Sequence, residues 1–140
     1  MKTKLSVLVL LLLVGFWSGC THRVGLNERM ADLLQGGDVS GSVRVLQAGV
    51  ASALDLEDIR LGEIGDGLTV KVLFRNRRTA EYRFEYSFRW MRVNGSPVSA
   101  ENATWFPAVV PGKGNVWIEG TTLENEALIF ELVLRKEGEK

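Results

Sequence analysis

The chain has 140 residues, enough for one domain of ordinary size, and its 17 basic and 17 acidic residues give a net charge of zero. Proteins that bind nucleic acid are usually basic, because neutralising phosphates supplies much of their affinity, so no nucleic-acid partner is predicted. The chain has one cysteine, Cys20, which excludes an internal disulfide. Its one histidine, His22, lies beside that cysteine, so the rest of the chain lacks the cysteine and histidine ligands that zinc and copper prefer. No metal or other cofactor is predicted.

Residues 1–19 have the pattern of a lipoprotein signal peptide. Two lysines precede an apolar run, Leu5–Phe16, which has the length of a signal-peptide core and is shorter than the roughly 20 residues of a membrane span. The following Ser18-Gly19-Cys20 resembles the lipobox, in which a small residue precedes the cysteine that receives a diacylglycerol. The alternative is an ordinary cleaved signal with a chance cysteine. Lipid attachment at Cys20 is favoured because the chain's one thiol occupies the position that uses it.

Acylation of Cys20 would anchor the protein, and the next residue indicates in which membrane. Two or more acyl chains hold a protein firmly, at about 0.8 kcal/mol for each buried methylene. In bacteria that sort lipoproteins by the residue after the cysteine, aspartate retains the protein in the inner membrane, whereas this chain has Thr21. We therefore predict a lipid-anchored protein on the periplasmic face of the bacterial outer membrane.

Residues 20–42 are predicted to form a tether between the lipid and the domain. Apolar residues at helical spacing, followed by Gly36-Gly37, indicate a short amphipathic helix that ends at the glycines. A disordered linker is an equally good interpretation of the same segment. Either one would let the domain stand off the membrane.

Residues 43–140 are predicted to form an all-β domain. Apolar and polar residues alternate, and turn signals recur at Gly65–Gly67, Asn94-Gly95 and Pro111–Asn115. Short strands at such spacing are typical of an antiparallel β-sandwich. The predicted strands are Val43–Ala48, Asp58–Ile64, Leu68–Asn76, Tyr82–Val93, Pro97–Ser99, Trp105–Val110, Asn115–Gly120 and Ala127–Lys136.

The segment Tyr82–Arg92, YRFEYSFRWMR, interleaves aromatic rings with arginines. Alternation places the rings of Tyr82 to Trp90 on one face and the charged residues on the other. We predict that this aromatic face is buried, paired in a hairpin with Leu68–Phe74 and covered from the opposing sheet by Leu128–Leu134. Burial is worth roughly 1.5–3 kcal/mol for each large side chain, which outweighs the competing use of the rings as an exposed platform for bases.

The order of these motifs resembles the YcfL-like family of small bacterial periplasmic lipoproteins. The resemblance runs from about Val43 to the C-terminus and rests on the lipobox leader, DIRLGEIGDGLTVKVLFRNRRTAEYRFEYSFRWMRVNGSPV and TWFPAVV. It implies an immunoglobulin-like sandwich. It implies no enzymatic activity and no catalytic residues.

No catalytic motif was found in the domain. No serine lies in a nucleophile elbow, no histidine follows His22 to act as a base, and the glycines of GEIGDG are in the wrong order for a phosphate-binding loop. Two carboxylate pairs, Glu57 with Asp58 and Glu124 with Glu126, are interpreted as a strand edge and a solvated turn. We therefore predict no enzyme, and a hydrolase that uses these carboxylates is the least favoured hypothesis.

Trp105, Phe106 and Trp117 are the candidate partner-binding residues. They would either close one end of the core or form an exposed patch, and tryptophan is prominent among residues that dominate interfaces. The leading hypothesis is a non-catalytic interaction module of the cell envelope, which binds another envelope protein or peptidoglycan. The alternative is a periplasmic carrier that binds a small molecule or glycan in a pocket between the sheets.

Replacing Cys20 by serine is expected to abolish acylation, because a serine hydroxyl does not supply the thiolate that the modification needs. Metabolic labelling with a fatty acid, followed by purification of the protein, measures this directly. A Cys20→Ser protein that still carried the label would contradict the prediction.

Overall fold

The computed structural model describes residues 24–35, 37–98, 104–126 and 129–140, which form a two-layer β-sandwich with two short helices. The predicted leader, Cys20 and Thr21 lie outside the described residues. The elements are α1 (Leu26–Leu33), β1 (Ser40–Val45), α2 (Ala48–Ala53), β2 (Leu54–Ile64), β3 (Gly67–Asn76), β4 (Tyr82–Met91), β5 (Phe106–Val110), β6 (Asn115–Thr122) and β7 (Ile129–Lys136).

Two sheets make up the sandwich, with strand orders β1-β7-β4-β5 and β2-β3-β6. The described strands pair antiparallel, except that β1 and β7 run parallel. The predicted all-β sandwich is confirmed. Its division into four and three strands is that of an immunoglobulin constant domain, while the order of strands within each sheet is different.

The alternation predicted for β4 is confirmed. Phe84 is completely buried in the core, whereas Arg83 is exposed. The other rings of the aromatic face are partly buried against the same core, namely Tyr82, Tyr86, Phe88 and Trp90. This face therefore belongs to the interior and cannot serve as an open stacking platform.

The predicted partners of β4 are wrong, because β3 and β7 have exchanged places. β4 pairs with β7 in its own sheet, where Tyr86 lies opposite Leu134. β3 lies in the other sheet and faces β4 across the core, so that the rings of Phe74 and Phe84 meet edge to face with centroids 6.1 Å apart. Both arrangements bury the same apolar faces, so alternation alone does not distinguish a hairpin from an arch that crosses between sheets.

Two arches cross between the sheets at one end of the sandwich, which we call the arch end: residues 77–81 join β3 to β4, and residues 111–114 join β5 to β6. The buried side chain of Asn76 ties them together. Its amide nitrogen lies 2.8–3.2 Å from three backbone carbonyl oxygens, those of Ala80, Val110 and Pro111. Its oxygen accepts a hydrogen bond from the backbone N–H of Arg78 at 2.8 Å.

Helix α1 covers the side of the sandwich where β1 and β2 are the edge strands. Met30 is fully buried in the core. Asn27 Oδ1 accepts a hydrogen bond from the N–H of Val43 at 2.7 Å, and Arg29 Nε donates to the carbonyl of Leu56 at 3.3 Å. Unpaired edge groups attract other strands, so the helix protects both edges. The folded unit thus includes α1 and begins before Val43.

Several element boundaries differ from the prediction. Strand β1 begins at Ser40 and ends at Val45, because the chain then turns into α2, a helix with no clear periodic signal. The GDG hairpin is present between β2 and β3, with Gly65 at a φ of 57°. Pro97 makes an isolated bridge to Met91 where a strand was predicted, and Ser99 lies outside the described residues.

Phe84→Ala should destabilise the domain by about 3–5 kcal/mol, because it removes a fully buried ring at the contact between the sheets. Urea unfolding followed by circular dichroism measures the change. Arg83→Ala on the exposed face is the control and should change stability by no more than about 0.5 kcal/mol. Equal losses in both variants would show that Phe84 does not lie in the core.

Asn76→Ala should cost about 2 kcal/mol or more, since it leaves buried carbonyl groups without donors. Asn115→Ala, at an exposed position one strand away, is the matched control and should be almost silent. The same unfolding assay applies. A neutral Asn76→Ala substitution would mean that the arches hold their conformation without this side chain.

Candidate functional site

The side of the sandwich opposite α1 presents an aromatic surface. Here β5 and β6 are the edge strands of their sheets and contact each other. No helix among the described residues covers them. Phe106 is 49% exposed and Val109 42% exposed on β5, and Trp117 is 41% exposed on β6. We call these three residues with their two strands the β5–β6 side.

Phe106 is half exposed because it lies at the start of an edge strand. It pairs with Tyr86 of β4, and the two ring centroids are 5.7 Å apart. Its other flank has no neighbouring strand among the described residues. Pro107, which follows, has no N–H to donate and is tolerated at an edge. The ring therefore rests on the core with one side available to a partner.

Trp117 lies on the outer surface of the three-stranded sheet, opposite Leu73 in β3. The guanidinium of Arg60 lies 4.7 Å from the centre of its ring and is also paired with Asp58 at 3.3 Å. A cation–π contact at an exposed site is worth about 0.5–1 kcal/mol, enough to favour one orientation of the ring. Trp117 is therefore an oriented yet accessible aromatic group.

Trp105 does not join Phe106 in one patch. The guanidinium of Arg135 lies 3.9 Å from the centre of the Trp105 ring and is paired with Glu85 at 2.7 Å. Arg135 and Glu85 belong to the outer face of the four-stranded sheet, whereas Phe106 contacts Tyr86 on the inner face. Of the three predicted residues, Phe106 and Trp117 lie on the neighbouring edge strands β5 and β6, whereas Trp105 lies against the outer face of the four-stranded sheet. The Phe106 ring rests on the inner face and the Trp117 ring on the outer face of its own sheet, so the three rings do not form one patch.

The arginines of β4 and its neighbours cover the outer face of the four-stranded sheet. Arg44 and Arg89 both pair with Glu131, at 3.3 and 3.6 Å. Beneath this network Ser87 and Val133 are buried, although they point away from the core. Long arginine stems can cover such residues while their charged heads stay in water. Alternation assigns this whole face to solvent and therefore does not predict the burial of Ser87 and Val133.

Surface clefts are formed by the described residues, and the two most prominent do not lie between the sheets. One, of about 710 Å³, lies beside the β2–β3 hairpin and is lined partly by four carboxylates, those of Asp38, Glu63, Asp66 and Glu124. Within the described ranges no three such groups are placed to hold a metal ion. The other, of about 610 Å³, lies between α1, α2 and the start of β2. The facing side chains of the sheets, by contrast, are fully buried, as Val70 and Val72 are.

Asp58 and Glu126, one carboxylate from each pair considered for catalysis, have separate partners. Asp58 accepts from the N–H of Ile59 at 2.9 Å and pairs with Arg60, and Glu126 pairs with Arg92 at 2.7 Å. Burial raises the pKa of the Tyr82 hydroxyl above its ordinary value of 10.0, while the nearby charge of Arg78 acts in the opposite direction. The phenol is therefore neutral at physiological pH and supplies no base.

Neither helix in the described part of the chain has the length and apolar character needed to cross a bilayer. α1 has eight residues and α2 has six. Both helices instead pack against the strands of the sandwich.

Several solved structures resemble this fold, among them the following two. A DUF1425 family member from Shewanella sp. pv-4 superposes with a TM-score of 0.53 at 20% sequence identity, over 62% of this chain and 81% of that one. Campylobacter jejuni cj0090 superposes with a TM-score of 0.55 at 14% identity, over 68% of this chain and 97% of that one. At these identities the likeness concerns the fold alone.

The sequence itself gives a family assignment. No functionally curated protein matches the chain. A family profile described as "Protein of unknown function (DUF1425)" matches residues 41–136, which include all seven strands apart from the first residue of β1. The match covers well over half of the chain, and the protein therefore belongs to the DUF1425 family.

Proposed function

We propose that this protein is a lipid-anchored module of the bacterial envelope, which binds another envelope protein through the β5–β6 side and catalyses no reaction. The leader with its single cysteine at Cys20 supports the anchor and the periplasmic address. The YcfL-like resemblance is compatible with the DUF1425 family and supports the same address. The threonine after Cys20 favours the outer membrane.

One observation carries the binding surface: two large aromatic side chains, Phe106 and Trp117, remain about half exposed on adjacent edge strands. Burying such groups against a partner supplies much of the energy of a typical interface, where a few aromatic anchors dominate. Both rings also have fixed neighbours, Tyr86 and Arg60, so little conformational entropy would be lost on binding.

The geometry favours a partner that supplies an extended segment. β5 has an apolar sequence, FPAVV, and an edge that no other described strand pairs with. An added strand would hydrogen-bond to this edge and place its side chains against Phe106 and Val109. Trp117, on the neighbouring edge strand, would contact whatever flanks that segment.

Binding of a partner protein at the β5–β6 side is favoured over the hypothesis of a small-molecule carrier. A carrier of small molecules needs a largely apolar pocket, whereas the space between the sheets is filled by buried side chains such as Phe74, Phe84 and Phe130. The two prominent clefts formed by described residues lie on the surface, and the one beside the β2–β3 hairpin is lined partly by carboxylates. A glycan or small molecule would therefore also have to bind outside the core.

The combined Phe106→Ala and Trp117→Ala substitutions should weaken capture of the partner about thirtyfold or more, as expected for truncated anchors worth about 2 kcal/mol. Capture is measured by crosslinking in intact envelopes, purification and quantitative mass spectrometry. The control is the pair Val93→Ala and Leu46→Ala, which trims two apolar side chains of similar or greater exposure that follow β4 and β1, outside the β5–β6 side.

Circular dichroism and urea unfolding establish that both double variants are folded. Equal capture by the wild-type and Phe106/Trp117 proteins would contradict the proposal, as would an equal loss in the control. An enzyme would be indicated if Asp58→Asn abolished complementation of a deletion strain while the Phe106/Trp117 variant complemented fully.

A further inference from the structure

The described charges are distributed unevenly along the sandwich. At the arch end, three cationic side chains lie on the two arches: Arg77, Arg78 and Lys113. At the opposite end, the cleft beside the β2–β3 hairpin is lined by four carboxylates and no lysine or arginine among its described lining residues. The net charge of zero therefore conceals a difference in charge between the two ends of the domain.

The arches hold their cations close together. The Lys113 ammonium donates to the carbonyl of Arg77, and the N–H of Lys113 donates to the carbonyl of Arg78 at 2.8 Å. The Arg78 guanidinium lies 4.9 Å from the centre of the Tyr82 ring. These contacts leave the positive charges in place while fixing their positions on the surface.

Acidic residues at this end neutralise only part of the cluster. Asp55 pairs with Arg77 at 3.3 Å, whereas Arg78 and Lys113 have no ion pair with a described carboxylate. Glu81 pairs with Arg83, on the outer face of β4. The C-terminal residues that follow β7 contribute both signs, with Glu137 and Glu139 beside Lys136 and Lys140. The charge that faces outward from the arches is therefore positive.

The N-terminal entry of the chain lies at the same end. Val24 and Gly25 line one groove with Ala48 and Ser52 of α2. α2 in turn contacts the first arch through two hydrogen bonds. The Arg78 guanidinium donates to the carbonyl of Gly49 at 3.4 Å, and the backbone N–H of Arg77 donates to the carbonyl of Ala53 at 2.8 Å. The described chain thus begins beside the positively charged arches and away from the acidic cleft.

The connection from Cys20 to Val24 is short. Four residues span at most about 14 Å even when fully extended. An acylated Cys20 would therefore hold the arch end near the bilayer surface. The longer tether expected from the sequence is not available, because residues 26–33 form α1 and are packed on the sandwich.

We propose that the arch end is a docking surface for an anionic phospholipid bilayer, with Arg78 and Lys113 facing the headgroups and the acidic cleft turned away. This inference rests on the proposed acylation of Cys20. Lysine and arginine near an anionic lipid surface are each attracted measurably, and the attraction falls off within a Debye length. The carboxylates at the other end are repelled by the same surface, so both ends favour one orientation.

The test uses the full-length acylated protein in vesicles of phosphatidylcholine with and without phosphatidylglycerol. A dye is attached through Thr79→Cys in the first arch or through Asp66→Cys in the β2–β3 hairpin, both of them exposed positions. Quenching by a headgroup-labelled lipid reports which end faces the bilayer. We expect strong quenching of the dye at position 79, weak quenching at position 66, and a difference that grows with phosphatidylglycerol and shrinks with salt.

Charge-neutralising variants test the role of the cations. Arg78→Gln with Lys113→Gln should lower the ratio of docked to undocked protein about thirtyfold in anionic vesicles. Arg44→Gln with Lys71→Gln removes the same charge from exposed positions on the outer faces of the sheets and should leave the ratio unchanged. Circular dichroism verifies that each variant is folded.

The outcomes separate this inference from the function proposed above. The docking surface would be overturned by equal quenching at the two positions. It would also be overturned if quenching did not respond to phosphatidylglycerol and to the Arg78/Lys113 variant. In either case an intact acyl mass and normal partner capture would leave the function proposed above unaffected. Protein that lacks the acyl mass would overturn the anchor and the docking surface together.

Discussion

A single buried amide, that of Asn76, links the two arches that connect the sheets. A polar side chain inside the core is tolerated only where its hydrogen bonds are satisfied, and here the backbone of both arches satisfies them. Because both arches cross at the same end, β5 and β6 emerge side by side as edge strands. The same constraint brings Arg78 and Lys113 together. The proposed partner surface and the proposed lipid surface both include segments that these arches join.

The two open sides of the sandwich differ: a helix covers one of them, whereas the other stays exposed. The molecule therefore has one side that is open to a partner. On one side α1 fills the gap between β1 and β2 and occupies edge groups such as the Val43 N–H. On the other side Phe106 and Trp117 stay half exposed. If the arch end rests on a bilayer, the β5–β6 side faces sideways along the membrane. A second protein anchored in the same membrane could then reach it without leaving the surface.

Sequence patterns predicted the faces of strands well and their neighbours poorly. Alternation in Tyr82–Trp90 identifies the buried face, because successive side chains of any strand point to opposite faces whatever its neighbours are. It does not reveal that β7 is the neighbour of β4 and β3 its opposite, because both offer equivalent apolar faces. Adjacency in the sequence groups Trp105 with Phe106, whereas an extended chain turns adjacent side chains to opposite faces. The burial of Ser87 and the role of α1 depend on contacts between distant segments, which no local pattern encodes.

The parallel pairing of β1 with β7 has a kinetic consequence. Sheet hydrogen bonds join the first strand to the last, and near this junction Gln47 accepts from the N–H of Lys136 across 89 residues of chain. Contacts of such long separation form slowly, because the loop must close before its entropy is repaid. The four-stranded sheet cannot be completed until β7 has been synthesised, since β7 lies between β1 and β4. The pairing of β1 therefore waits for β7, and removing β7 would separate β1 from the rest of its sheet.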